Sequence, residues 1–135
     1  VDQSEAHNGK PFAKYWMHNG YITIDDDKMS KSKGNFFTVR DILKDYDGEV
    51  IRFFLLSGQY RNPINFSDVL MEQAKQGLAR MENAKANLVH LIESCEGAMR
   101  EKERETIDEV DGYRQNFIKA MDDDLNTADA ISAVF

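Results

Sequence analysis

"YITIDDDKMSKSKGNFF", residues 21–37, sets three aspartates directly ahead of six positions that hold three lysines and two serines. Apolar, β-branched residues precede this stretch at Tyr21–Ile24 and predict a strand. An apolar helical pattern follows it. A loop between two apolar elements has little reason to be so regularly charged and hydroxylated unless it closes over something anionic. Clustered ammonium groups, small hydroxyl donors and accessible backbone N–H groups are what stabilises a polyphosphate. Lys28 and Lys31 are point charges on flexible stems, able to follow charge as it moves onto a leaving group. Gly34 permits a tight turn at the loop exit. The spacing G-x-x-x-x-G-K-[ST] is absent, so this is not a P-loop.

Working outward, "PFAKYWMHNGYITID" carries aromatics and β-branched residues, and His18-Asn19-Gly20 interrupts it as a turn signal. A short helix or extended segment is expected around Tyr15–Met17. After the loop, "FTVRDILKDYD" predicts a helix capped by Thr38, with Asp41 at the capping-box position. Asp47-Gly48 ends it, and Asp47 is placed to cap "GEVIRFFLLSG", a helix apolar almost all round and therefore expected to be buried on most sides. "GQYRNPINF" reads as a connector, with Pro63 holding Asn62 away from helical geometry.

From Ser67 the character changes. Ser67 predicts an N-cap, with Phe66 and Met71 spaced as a hydrophobic staple. Leu70, Ala74, Leu78, Met81, Leu88, Leu91, Ile92 and Cys95 recur mostly at steps of three and four, which predicts one helix of roughly 28 residues with a core-facing stripe. "EGAMREKERETIDEVDG" is polar enough to be a connection or a solvated helix end. "YRQNFIKAMDD" predicts a further helix, and Thr127 is placed to cap "ADAISAVF". The aspartates at 122–124 are expected to end one helix and cap the next. Those at 25–27 read as a polar turn, because successive residues of an extended chain face opposite ways and cannot converge on a metal.

The chain has 135 residues, 41% hydrophobic and 30% charged, ordinary for a folded domain or parts of two. Its net charge of −7 is uneven: nine Lys/Arg balance nine Asp/Glu over residues 1–65, whereas eight face fifteen over 66–135. Wholesale nucleic-acid binding is disfavoured, and a local basic site in the first half is allowed. A lone Cys95 excludes an internal disulfide and suits a reducing, cytoplasmic setting. No apolar run approaches the roughly 18 residues of a membrane span, and "VDQSEAHNGK" lacks the features of a signal peptide. With no initial Met, and a last residue partway through an apolar pattern, the chain reads as a piece of something larger.

"KMSKS" at 28–32 resembles the second nucleotide-binding motif of class I aminoacyl-tRNA synthetases. Its setting narrows the likeness: "YWMHNGYITIDDDKMSKSKGNFFTVRDIL", "VIRFFLLSGQYRNPINFS" and "FIKAMDDDLNTADAI" resemble the cysteinyl-tRNA synthetase family. The likeness runs over almost all the chain and is weakest between Glu96 and Gly112. Lys33 departs from the apolar residue most common at its place in that family.

The resemblance implies a mixed α/β end of a class I nucleotide-binding, Rossmann-like catalytic domain over residues 1–37. A helical stem-contact region over 38–65 and the start of an α-helical bundle over 66–135 would follow, making the chain mainly α. It implies a two-step reaction: cysteine attacks the α-phosphate of ATP, and the cysteinyl group then passes to tRNA(Cys). Lys31, matching the second motif lysine, would contact ATP. Lys28, Met29, Ser30 and Ser32 complete the phosphate-binding loop, with Lys28 and Lys31 as the catalytic cations. Their role would be electrostatic, worth about 3 kcal/mol for one well-placed donor.

Mg²⁺ would accompany the ATP. Zn²⁺ would hold the substrate thiolate in the full-length protein, with ligands outside this chain, since Glu5 and His7 do not match the family's metal motif. Trp16, His18, Asn19 and Gly20 are candidates for lining the nucleotide pocket; the plainer expectation makes Trp16 core and His18 a turn residue. Arg52 and Arg61 are candidates for the tRNA acceptor stem, or for pairing with Asp47 or Glu49. Implied partners are tRNA(Cys), ATP and cysteine, and the rest of the catalytic domain, with no membrane. Two other functions fit part of the pattern: a ligase joining cysteine to an amino sugar, and a noncatalytic module of the same fold.

Overall fold

A computed structural model describes residues 1–25, 27–30, 32, 36–95, 97 and 100–135. The described chain is mainly α, with one small sheet. Strand β1 (Ile22–Ile24) lies at its centre. Strand β2 (Asp27–Lys28) pairs antiparallel to it, with Thr23 opposite Lys28 and Ile24 opposite Asp27. Strand β3 (Ile64–Phe66) pairs parallel on the other edge, Ile22 against Ile64 and Ile24 against Phe66. The strand expected at Tyr21–Ile24 therefore forms. The aspartates make a turn in part: Asp25 takes a left-handed φ of 47°, while Asp27 belongs to β2. "PINF", expected to lie in a connector, supplies a strand, because Ile64 and Phe66 find a pairing edge 42 residues back that local pattern cannot reveal.

Helix α1 (Asp2–Asn8) opens the chain and ends on Gly9 in the left-handed conformation. The segment after it carries no helix, and Tyr15, Trp16 and Met17 are exposed. Trp16 is thus not core; it stacks on Phe12 with ring centroids 5.7 Å apart. Helix α2 (Val39–Ile42) begins at the expected capping box: Thr38 Oγ1 accepts the Asp41 N–H at 3.2 Å, and Asp41 accepts the Thr38 N–H at 3.0 Å. It is shorter than its apolar pattern suggests.

Helix α3 (Gly48–Leu56) has Asp47 at its N-cap position but no bond from that side chain. Val50, Ile51 and Phe54 of α3 are buried, while Leu55 and Leu56 are 40% exposed, so the helix is buried along one stripe and not all round. That stripe meets helix α4 (Asp68–Ser94) at Met71 and Ala74. Phe66 and Met71 both belong to this cluster, and Ser67 Oγ accepts the Leu70 N–H at 3.3 Å, so the cap forms. Ile42, Tyr46, Ile64, Leu70 and Leu78 close the core from the sides. The sheet and the first half of α4 therefore share one core.

The second half of α4 departs from expectation. Leu88, Leu91, Ile92 and Cys95 are exposed, with Ile92 at 76%. The stripe continues beyond the length of α3, so past Leu78 it has no α3 surface left to cover. Helix α5 (Glu101–Asp122) decides between the two readings of the polar stretch: "EKERETIDEVDG" is a solvated helix end and not a connection, continuous with "YRQNFIKAMD". Glu, Lys and Arg are good helix formers even without burial. Arg100 and Glu103 close its first turn, where the Arg100 N–H donates to Glu103 at 2.7 Å.

Helix α6 (Thr127–Ser132) is capped by Asn126, whose side chain accepts the Asp129 N–H at 3.2 Å. Thr127, expected as the cap, is the first helical residue. Its hydroxyl donates across the molecule to the Gly58 carbonyl at 3.3 Å. Ala130 of α6 is buried.

Candidate functional site

The lysine-serine loop leaves the sheet through β2 and returns to it through aromatic packing. Lys28, the last residue of β2, is exposed and opposite Thr23. Met29 and Ser30 are half-buried, and Ser32 is exposed. Ser30 Oγ and Ser32 Oγ lie 3.3 Å apart, so the two hydroxyls share one side of the loop. On the far side Phe37 packs on Phe66 of β3 with centroids 4.7 Å apart, and Phe66 in turn meets Phe54 of α3 edge-on at 6.0 Å. One side of the loop thus hangs from β1 through β2, and the other from β3. Lys31 lies outside the described residues, as do Lys33, Gly34 and Asn35.

Behind the loop's exit stands a firm stop. Thr38 and Asp41 make the capping box, and Lys44 Nζ reaches Asp41 Oδ1 at 2.8 Å. The Lys44 bond, then those from Thr38, hold the Asp41 carboxyl well below the usual carboxylate range. The same carboxylate raises the Lys44 ammonium. Both side chains are exposed, so the pair is screened and adds little to global stability.

The turn that feeds β1 is held from the opposite side. The Gly20 N–H donates to the Tyr60 carbonyl at 2.7 Å, and the Ile64 N–H donates to the Tyr21 carbonyl at 3.0 Å. Asn19 Nδ2 donates to the Gly20 carbonyl at 2.8 Å. His18 and Trp16 are exposed beside this turn. Of the four candidates, Asn19 and Gly20 are thus engaged in building the turn, and Trp16 and His18 present their rings outward.

Arg52 and Arg61 do not share a site. Arg52, on α3, is exposed beside an open groove of about 860 Å³ lined also by Lys44, Asp47, Glu49, Lys75 and Glu82. Among the ion pairs of the described residues none involves Arg52. Arg61 pairs with neither Asp47 nor Glu49: its Nε meets Asp124 Oδ2 at 2.8 Å and donates to Tyr60 Oη at 3.1 Å. The Tyr60 hydroxyl, then the Asp124 charge, raise the guanidinium further above its ordinary value. Tyr60 Oη donates to Asp124 Oδ1 at 2.9 Å, and Gln59 Nε2 donates to the Asp124 carbonyl at 3.3 Å. Asp124 was legible only as one of three aspartates ending one helix and capping the next, and the cap of α6 falls instead to Asn126; nothing in its local pattern announces partners 63 to 65 residues away.

Glu5 is committed locally, accepting the Phe12 N–H at 2.9 Å. Among the described residues no three His, Cys, Asp or Glu side chains are grouped so as to hold a metal ion, and no helix is long and apolar enough to cross a membrane.

Residues 1–76 match the family described as the tRNA synthetases class I (C) catalytic domain, and residues 116–135 match the DALR domain. The chain is similar to the cysteine–tRNA ligase of Clostridioides difficile strain 630, with 60% identity over 136 aligned positions. That alignment covers 100% of this chain and 29% of the relative. Cysteine–tRNA ligases of Lachnospira eligens and Geobacter metallireducens match at 58% and 49% identity, again over 100% of this chain. It spans 29% and 28% of those two relatives, so it corresponds to less than a third of each.

Proposed function

This chain belongs to the class I (C) tRNA synthetase catalytic-domain family, and from that premise we propose that the protein carrying it is a cysteine–tRNA ligase. It would form cysteinyl-adenylate from cysteine and ATP and pass the cysteinyl group to tRNA(Cys). Residues 1–37 would close the nucleotide-binding catalytic domain, 38–65 would face the tRNA stem, and 66–135 would begin the helical bundle. The sequence of the relatives named above supports this reading, as does the DALR match at residues 116–135. Cytoplasmic residence follows from the same reading.

The carrying observation is the placement of the basic loop. Its described ends are tied to the two edge strands of one sheet, through β2 and through the Phe37–Phe66 contact on β3. A cationic segment held at both ends can shift over a phosphate without losing its position. In this proposal Lys28 and Lys31 take up negative charge as it grows on the β- and γ-phosphates. Met29, Ser30 and Ser32 shape the loop and supply hydroxyl donors. Trp16 and His18, exposed beside the turn of Asn19 and Gly20, are offered as the wall of the nucleotide pocket. Arg52 and the guanidinium edge of Arg61 not used by Asp124 are offered as contacts to tRNA phosphates, which position without specifying sequence.

Mg²⁺ would reach the site with ATP and neutralise part of its charge. The described residues offer no three-ligand set for Zn²⁺, so the zinc that the family resemblance implies would take its ligands from elsewhere in a longer protein. The residues of this chain act by charge and position alone.

The test is ATP–pyrophosphate exchange in the full-length protein. Lys31→Ala is expected to slow cysteine-dependent exchange by about a hundredfold, the scale of one lost transition-state donor, with cysteine affinity nearly unchanged. Equal exchange in variant and parent would sink the proposed role of the loop. Transfer of activated cysteine to an amino sugar in place of tRNA would favour the related ligase. No exchange with any amino acid would favour a noncatalytic module.

A further inference from the structure

We propose that Asp124 is a positioning residue for tRNA charging, a latch that sets the α5–α6 corner against the Gln59–Arg61 loop. The proposal rests on the ligase reading above for its functional consequence, and on geometry for the latch itself.

Two independent observations meet at this corner. The first is convergence. The Asp124 carboxylate accepts from Tyr60 Oη at 2.9 Å and pairs with Arg61 Nε at 2.8 Å, while its carbonyl accepts from Gln59 Nε2 at 3.3 Å. Three residues further on, the Thr127 hydroxyl donates to the Gly58 carbonyl at 3.3 Å. Four consecutive residues of one loop, 58 to 61, thus hold one corner between two helices.

The second observation is backbone strain. Asp124 and Leu125 both have φ of 54°, a left-handed conformation that an aspartate tolerates but that costs a leucine free energy. Two such residues in succession persist only where the surroundings over-determine them. A helix corner with no task beyond joining α5 to α6 would relax, or would carry glycine.

The loop being gripped is also the one that holds the turn before β1, through the Gly20 N–H bond to the Tyr60 carbonyl at 2.7 Å. Tyr60 therefore has its backbone on the sheet side and its hydroxyl on the helical side. Adenylate formation involves small molecules near the lysine-serine loop and does not need the helical corner. Charging a tRNA requires one long ligand to meet both parts at once, so an unlatched corner weakens tRNA engagement and leaves activation alone.

The test separates contact from strain. Asp124→Gly keeps the left-handed backbone at low cost and removes the carboxylate; Asp124→Asn keeps an acceptor oxygen. In the full-length protein, Asp124→Gly is expected to raise KM for tRNA about fivefold, the effect of roughly 1 kcal/mol. Both kcat and cysteine-dependent pyrophosphate exchange should stay within about twofold. Asp124→Asn should recover most of the loss, and adding Tyr60→Phe to Asp124→Gly should cost little further, since the Tyr60–Asp124 bond is already gone and only the bond from Arg61 Nε to Tyr60 Oη is left to lose. In this 135-residue chain, amide exchange at Ala130 of α6 should quicken about fivefold in Asp124→Gly while that at Ile51 of the core does not change. An unmoved KM with unmoved Ala130 exchange overturns the latch. Exchange and charging that fall together overturn the positioning role. If the unaltered protein supports no cysteine-dependent pyrophosphate exchange, the ligase reading fails instead, and the Ala130 measurement alone decides the latch.

Discussion

A Cβ atom on Gly20 would stand 2.2 Å from the Asn62 carbonyl oxygen and 2.7 Å from the Pro63 nitrogen. Both are backbone atoms, so no side chain can swing aside to relieve the contact. Gly20 also donates to Tyr60 across the same interface, which means the two strands of chain cannot part without losing that bond. Gly20→Ala is therefore expected to destabilise the chain by about 2–3 kcal/mol, toward the upper end of overpacking effects. Urea unfolding followed by circular dichroism would measure it. A loss under about 0.5 kcal/mol would mean that the Gly20–Asn62 approach is not maintained in solution.

The capping box after the loop makes a pH prediction with a definite sign. The Asp41 carboxyl is held below its ordinary value of 3.8, chiefly by Lys44 and then by Thr38. Its contribution is therefore complete above that value and is lost as pH falls below it. Lys44 is raised above its ordinary value of 10.5, so its share is complete below that pH and is lost above it. The start of α2 should be firmest on the plateau between, and amide exchange at Leu43, taken relative to its intrinsic rate at each pH, should quicken in acid. Thr38→Ala should quicken it at neutral pH by removing the cap, an effect of about 1 kcal/mol. No change at Leu43 in either experiment would show that α2 forms without its box.

Met71 of α4 is fully buried against α3, the one large side chain among the described residues with no exposed surface. Met71→Ala is expected to cost about 2–5 kcal/mol, as for other buried Met or Leu truncations. The effect should spread to the sheet, because Ile64 and Phe66 pack against the same cluster. Exchange at the Ile64 amide, which donates to Tyr21, reports on that spread. A Met71→Ala variant that unfolds α4 while Ile64 stays protected would show two independent units in place of one core.

Much of this was legible because local chemistry decides it. The cap at Ser67, the box at Thr38–Asp41 and the start of α4 rest on residues three apart, and all of them form. Strand β3 was hidden because "INF" is a strand only when Ile22–Ile24 lies beside it. The N-terminal half of α5 was legible only as one of two alternatives, a connection or a solvated helix end, because it forms with no buried residue to give it an apolar period. The exposed end of α4 shows the limit of periodicity, since a stripe announces an apolar face without saying how much of it this chain covers. Of the candidate site residues, the loop stood out by composition and Arg61 by charge. The partner of Arg61, Asp124, did not, because it pairs across 63 residues.

Two mid-helix glycines test how far α4 and α5 differ in their surroundings. A Cβ on Gly112, in α5, would meet nothing within 4 Å, so the only consequence of Gly112→Ala is a stiffer, better helix former. The expected gain is about 1 kcal/mol in the local stability of α5. A Cβ on Gly77, in α4, would stand 3.1 Å from Cε1 of Phe53 and 3.8 Å from Cζ of Phe135. There the same propensity gain is opposed by crowding, and Phe53, held against the core cluster, has little room to yield. Gly77→Ala should accordingly gain less than Gly112→Ala, and a larger residue such as Val at 77 should be destabilising by about 1–3 kcal/mol. Amide exchange of α5 and urea unfolding of the α3–α4 core read the two effects separately. If Gly77→Ala stabilised the core as much as Gly112→Ala stabilises α5, Phe53 would have to move freely. The contact between α3 and α4 would then be looser than their shared burial implies.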